Sequence, residues 1–336
     1  MADPSDLRRG ATPPGALRNP KIEAAIERAV QPGDPAELLA LLDRSSGLPA
    51  RRGGGRAPGP DLGPNAPLPR VNLDLARAVG AAIADRGAPA ERLLRALCAS
   101  SEEYALIVAA QALAALATRE AQAERSGGAA GAGGAGGRQR GRGARGARGG
   151  LDPLAELEQL AEDPRRLVRD GVVAALRAVI AARGDAAVGE LSSWTDGYLQ
   201  AYVALEALAE RTLLTGLSVG AEVVARLEEA FAISDRSPRA DERLQGLRLL
   251  RQGMPAQIAT FAARFPEVVR WLEEKTQAER PESRDVVAQA IAALRKGSFS
   301  DAETGRLTAA LSASAPPPRD AARIVQGTRK RSKGRR

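Results

Sequence analysis

The stretch that most restricts the fold of this chain is Asp163–Leu176, D-P-R-R-L-V-R-D-G-V-V-A-A-L. Asp-Pro opens a helix, a Val-Arg pair follows one turn in, and Val172, Ala175 and Leu176 fall on one face. A second helix of similar character runs from Asp196 through Y-L-Q-A-Y-V-A-L-E-A-L to Leu208, which lies 32 residues after Leu176. Upstream, Y-A-L-I-V-A-A-Q-A-L-A-A-L ends at Leu116. Setting aside a 25-residue Gly/Arg-rich insert leaves 35 residues between Leu116 and Leu176. Recurrence at this spacing predicts stacked helix pairs, an architecture used for binding more often than for catalysis.

Composition points the same way. Aromatic residues make up 3% of the chain, so a core must form by close packing of alanine and leucine, which helices do well. No alternating run of β-branched and aromatic residues marks a strand. The chain has no histidine, which removes Ser-His-Asp and Cys-His mechanisms and histidine metal sites. The single cysteine, Cys98, excludes an internal disulfide and favours a reducing, cytoplasmic setting. It lies in the apolar stripe L-L-R-A-L-C-A and reads as a small buried hydrophobe. The first twenty residues lack an apolar core, so no secretory leader is expected. The longest apolar run, Tyr104 to Ala117, is too short to span a bilayer. No cofactor, metal site or membrane partner is expected.

The net charge of +8 is unevenly spread. Residues 126–150 carry five arginines and no acid, residues 319–336 carry +7, residues 51–70 carry +3 and residues 1–20 carry +1, which leaves −8 on the helical segments. An acidic helical body with basic appendages is expected.

The pattern divides the chain into a disordered 1–20, a short helical segment 21–44, a linker 45–70, a helical body 71–125, a Gly/Arg-rich loop 126–150, a second part of the body 151–313 and a basic tail 314–336. Asp34 and Asp152 are expected N-caps, each followed by proline at the first helical position. Within the second part, helices are expected near 153–162, 165–183, 185–192, 197–213, 219–233, 239–252, 255–264, 266–276, 282–296 and 300–312.

In Asp163, Val168, Arg169, Ala175 and Leu176 the chain resembles the HEAT-repeat family, whose second helix commonly carries an aspartate, then a Val-Arg pair, then A-x-x-A-L-like spacing. The helix after Asp196 has Gln200-Ala201 in place of the pair, and D-V-V-A-Q-A-I-A-A-L at 285–294 keeps only the apolar part, so the likeness covers about half the chain. The resemblance implies an α-solenoid scaffold and names no ligand. The alternative is an irregular bundle of amphipathic helices.

Gly131–Gly136 formally contains G-x-G-x-x-G, but no strand precedes it and more Gly/Arg follows, so it is low complexity. Arg138, Arg140, Arg142, Arg145 and Arg148 resemble the arginine/glycine segments of RNA-binding proteins. Arginine supplies phosphate contacts and glycine a compliant backbone, although drift in a GC-rich coding sequence yields the same string. Arg329, Lys330, Arg331, Lys333, Arg335 and Arg336 form a second cluster, suited to weak, sequence-independent polyanion contact. Trp194 and Trp271, the only tryptophans, are candidate groove residues, with core packing as the plainer reading, and Asp196 is the expected N-cap beside Trp194. Some HEAT-like DNA glycosylases pair tryptophan with aspartate across a groove; no matched run supports that here. The expectation is an all-α, non-enzymatic scaffold that binds an unidentified protein, with no catalytic residue. The alternative is a nucleic-acid-binding protein of glycosylase type.

Overall fold

The computed structural model describes residues 20–48, 71–128, 150–297 and 299–315. Among them are fifteen α-helices and no strand. The first part of the chain supplies α1 (Pro20–Val30), α2 (Ala36–Asp43), α3 (Leu73–Ala84), α4 (Glu91–Cys98) and α5 (Glu103–Gly128). The second supplies α6 (Pro153–Ala161), α7 (Arg166–Arg183), α8 (Asp185–Glu190), α9 (Tyr198–Leu208) and α10 (Arg211–Leu214). It continues with α11 (Gly220–Asp235), α12 (Gln245–Ala262), α13 (Pro266–Lys275), α14 (Pro281–Arg295) and α15 (Asp301–Ala313).

The helices form a row with a second layer behind it. Helices α3, α5, α7, α9, α12 and α14 pack side by side in that order. Helix α4 packs on α5, α6 on α5 and α7, α11 on α9 and α12, and α13 on α12 and α14. Helix α15 closes the row against α14, and α1 packs on α2, α3 and α4 at the other end. A single hydrophobic core runs from Ile26 in α1 to Leu307 in α15, so residues 21–43 dock on the body and residues 71–128 and 150–315 share its interior.

Hydrogen bonds fix the direction of the row. At one edge the Tyr104 hydroxyl donates to the Asn72 carbonyl (3.0 Å), joining the starts of α5 and α3. Arg165, the N-cap of α7, donates to Ser101 O (2.7 Å), just before α5. Gln200, in the first turn of α9, donates to Glu162 (2.5 Å), just before α7. Tyr198 donates to Asp241 (2.9 Å), just before α12, and Arg280, the N-cap of α14, donates to Ser237 O (3.0 Å). At the opposite edge Arg119 of α5 donates to the carbonyl of Ala84, the last residue of α3 (2.6 Å), and Arg183, the last of α7, to Ala117 O (3.2 Å). Matched ends on both edges mean that the row helices run parallel.

Small residues set the spacing. A Cβ on Gly80 would lie 2.6 Å from the Ala112 backbone nitrogen, so α3 and α5 meet backbone to backbone. A Cβ on Gly253 would lie 2.8 Å from Cε2 of Tyr202, so that glycine makes room for the ring where α12 crosses α9.

Cap and helix-boundary residues act as their sequence suggests at some positions and not at others. Asp152 caps α6, accepting from Leu154 N (3.1 Å) and Ala155 N (3.3 Å), with Pro153 at the first position. Asp34 accepts from Ala36 N (2.9 Å), but α2 begins one residue later than expected and its N-cap position is Pro35. Asp196 is not the cap of α9: that position is Gly197, and Asp196 closes the 3-10 turn Leu191–Thr195 instead. The helix expected over 239–252 and the one after Pro255 are a single helix, α12, that runs through the proline. Pro255 removes one backbone donor, but burial of Met254, Ile258 and Phe261, each worth about 1.5–3 kcal/mol, outweighs that loss. Residues 239–243 are a 3-10 turn, and the helix expected over 197–213 is split into α9 and α10. Among the described residues no helix is long and apolar enough to cross a membrane.

Candidate binding surface

A polar seam crosses α7, α9 and α12, the middle of the row. Periodicity explains its composition: α7 turns Val168, Val172, Ala175 and Leu176 inward and leaves Arg166, Asp170 and Arg177 at the surface. On α9 the same rotation brings out Tyr202 and Glu206. Arg166 lies 3.6 Å from Asp170. Arg177 reaches Glu210 (3.3 Å), Glu206 (3.8 Å) and the Glu206 carbonyl (3.1 Å). Buried Gln257 of α12 donates to Glu206 (3.0 Å).

The seam is electrostatically tense. Asp170 keeps 49% of its side chain open, yet burial by the surrounding protein raises its pKa from the ordinary value. Arg166 and Arg169 oppose that shift and Glu206 adds to it. Tyr202 is raised as well, first by burial and then by the negative charges of Glu206 and Asp170. Three acids, Asp170, Glu206 and Glu210, face three cations, Arg166, Arg169 and Arg177, so the seam is close to neutral.

Arg169, the arginine of the Val-Arg pair, turns inward, with only 3% of its surface exposed. Its use is typical of the body. Arg119 and Arg183 tie helix ends together, as described above. Arg264 donates to Leu214 O (3.2 Å) and Leu217 O (3.3 Å), and Arg284 to Ala278 O (3.1 Å) and Ser314 Oγ (2.9 Å). Apart from Arg183, whose acceptor Ala117 lies inside α5, these guanidiniums donate chiefly to carbonyls of turns and helix ends, which otherwise lack partners. They are structural staples and not free for a ligand.

The two tryptophans are in the core rather than on a groove. Trp194 is fully buried, and its Nε1 has no partner among the described residues. Trp271 is 4% exposed, donates to Glu228 (2.7 Å) and meets the Phe231 ring edge-on with centroids 5.7 Å apart. A core poor in aromatics gains more from burying these large rings than from displaying them. Asp196 lines an open hollow of about 360 Å³ with Tyr198, Ile233, Arg236 and Pro238. Among the described residues no group of three or more Asp, Glu, Cys or His side chains could hold a metal ion. Arg138, Arg140, Arg142, Arg145, Arg148, Arg329, Lys330, Arg331, Lys333, Arg335 and Arg336 lie outside the described residues.

Sequence reasoning did not pick out Asp170, Tyr202, Glu206 or Gln257. The signal was present as polar side chains at one-turn spacing on otherwise apolar helices, which alone cannot be told from a solvated face. Comparison with protein-family models, with curated proteins and with solved structures gave no match.

Proposed function

We propose that this chain is a non-enzymatic scaffold of HEAT-like α-solenoid type that binds a protein partner across the seam of α7, α9 and α12. The observation that carries this reading is the parallel, chain-ordered row of helices that brings Asp170, Tyr202 and Glu206 within electrostatic reach of one another. A surface assembled from successive repeats suits an extended protein ligand. Its lack of a cationic surplus gives a phosphate backbone no electrostatic gain, and burial of both tryptophans removes the stacking surface that a glycosylase-type reading needs. On this reading the basic clusters at 138–148 and 329–336 add weak polyanion affinity and do not select the partner.

The test is quantitative affinity purification from nuclease-treated lysate, comparing wild type with the charge reversal Asp170→Arg/Glu206→Arg. Proteins enriched by wild type should be lost with the double variant and kept with Arg92→Glu, an exposed control on α4. Identical protein sets from wild type and the seam variant would refute the assignment.

A further inference from the structure

The connection from α11 to α12, residues 236–244, carries a second surface, basic in character. It is held rigidly from below. Arg251 donates to Ser234 Oγ (3.0 Å), Ser234 O (3.1 Å) and Ser237 Oγ (2.9 Å), and it grips both oxygens of Glu242 (2.6 and 3.2 Å). Arg280 donates to Ser237 O (3.0 Å) and to the Asp235 carbonyl. Of the acids of this connection, Glu242 is paired with Arg251, while Asp241 accepts from the neutral Tyr198 hydroxyl (2.9 Å) and keeps its negative charge.

The outward side chains are Arg236, Arg239 and Arg243, all exposed and without a hydrogen bond or ion pair to any described residue. Glu228, the acid that feels the field of Arg236, is already held by Lys275 (2.6 Å) and Trp271 (2.7 Å). Arg248 bonds only carbonyls, those of Glu242 (3.4 Å) and Arg243 (2.8 Å), so its charge also stays uncompensated. Leu244 stands on the same connection with 47% exposure, and the hollow at the start of the connection has Ala232, Ile233, Arg236 and Pro238 in its wall, together with the exposed Asp196.

We infer that this edge docks an acidic peptide segment of a partner protein that also carries an apolar side chain. Uncompensated guanidiniums on a rigid turn suit carboxylates, and the pinned backbone lowers the entropy lost on binding. The apolar component selects among polyanions. A phosphate backbone gains nothing from Leu244 or Ile233, whereas a leucine or phenylalanine between glutamates gains burial there. The inference concerns a different surface from the α7–α9–α12 seam and stands or falls separately from it.

The experiment uses the full-length protein and fluorescence anisotropy at physiological ionic strength. The probes are a labelled glutamate-rich peptide with leucines one helical turn apart, the same peptide with serines for leucines, and a single-stranded oligonucleotide. The variants are Arg236→Glu/Arg239→Glu/Arg243→Glu and Leu244→Ser, which places an N-cap-competent residue before α12. All four side chains are exposed, so both variants should keep the wild-type circular dichroism and melting temperature. Any binding by the basic tail is common to all proteins and cancels in the comparison. The triple variant should weaken the leucine peptide at least about tenfold. Leu244→Ser should weaken it about three- to tenfold and leave the serine peptide unchanged. Equal affinity of wild type and triple variant would overturn the inference. So would wild-type binding of the serine peptide or the oligonucleotide as tight as that of the leucine peptide, which would mark a general polyanion patch. A wild-type dimer abolished by the triple variant would assign the edge to a second copy, and would overturn it too.

Discussion

Arg169 folds back onto Asp163: its Nη1 donates to the Asp163 carbonyl at 2.9 Å and to the Pro164 carbonyl at 2.6 Å. The Asp163 carboxylate meanwhile accepts from the Arg165 backbone N–H (2.8 Å) and takes that guanidinium in two-point contact (2.9 and 2.5 Å). The turn into α7 is thus tied by both conspicuous polar residues of the motif. Arg169 is buried, so Arg169→Ala would leave two carbonyls without a donor and should cost about 2 kcal/mol. Arg166→Ala, at the exposed start of the same helix, should change stability by less than about 0.5 kcal/mol. Urea unfolding of the two variants checks the difference, and equal losses would remove the turn-tying role.

Packing of the row predicts opposite outcomes at two helical glycines. Gly80→Ala would push a methyl group into the α5 backbone, at 2.6 Å from Ala112 N and 2.8 Å from the Gln111 carbonyl carbon. Backbone cannot rotate away, so the helices must separate, and a loss of about 2 kcal/mol or more is expected. Gly305 sits in α15 with nothing within 4 Å of its would-be Cβ. Gly305→Ala should therefore stabilise by about 0.5–1 kcal/mol through helix propensity. Thermal unfolding of the pair would contradict the close approach of α3 and α5 if both substitutions moved the midpoint upward.

These contrasts mark what the sequence could disclose. Helix content, the Asp152 cap and the position of the Asp163–Leu176 motif were legible because periodicity and cap chemistry act within a few residues. The passage of α12 through Pro255 was not, because the contacts that hold Met254 and Phe261 come from elsewhere in the chain. Asp196 was misread as a cap because its sequence position fits one, while the chain there makes a 3-10 turn first. The tryptophans read equally well as core or groove, and only their surroundings decided. The seam and the stapling arginines were invisible for a related reason: Glu206 and Gln257, like Arg119 and Ala84, are far apart in sequence and meet only in the fold.

Two aspartates of the motif should titrate with opposite effects on stability. Burial opposes the charge of Asp163, but hydrogen bonds from the Arg165 side chain and backbone outweigh it, and its pKa is lowered. Its contribution is complete above the unfolded value of about 3.9 and is lost as pH falls through the lower folded value. Asp170 is raised, chiefly by burial. The folded state then binds that proton more tightly than the unfolded state, so stability falls as pH rises from about 3.9 through the raised value, and the full cost is present at neutral pH. Asp170→Asn should stabilise at pH 7 and lose the advantage below pH about 4, whereas Asp163→Asn should destabilise at pH 7. Melting curves between pH 3 and 8 test both signs, and a destabilising Asp170→Asn at neutral pH would contradict the raised pKa of Asp170.

The last prediction concerns Cys98, at the end of α4. Burial among the core residues pushes its thiol up to about 12, and the negative charge of Glu156 adds to the shift. Thiolate is the reactive form, so near pH 8 only about one molecule in ten thousand is poised to react, against roughly a quarter for an ordinary cysteine. Native protein should therefore react with a disulfide reagent roughly a thousandfold more slowly than protein unfolded in guanidinium. Because burial is the larger cause, Glu156→Gln should recover only a small part of that difference. Full reactivity of the native wild type at pH 8 would mean that α4 does not cover Cys98, and that the first end of the row is open.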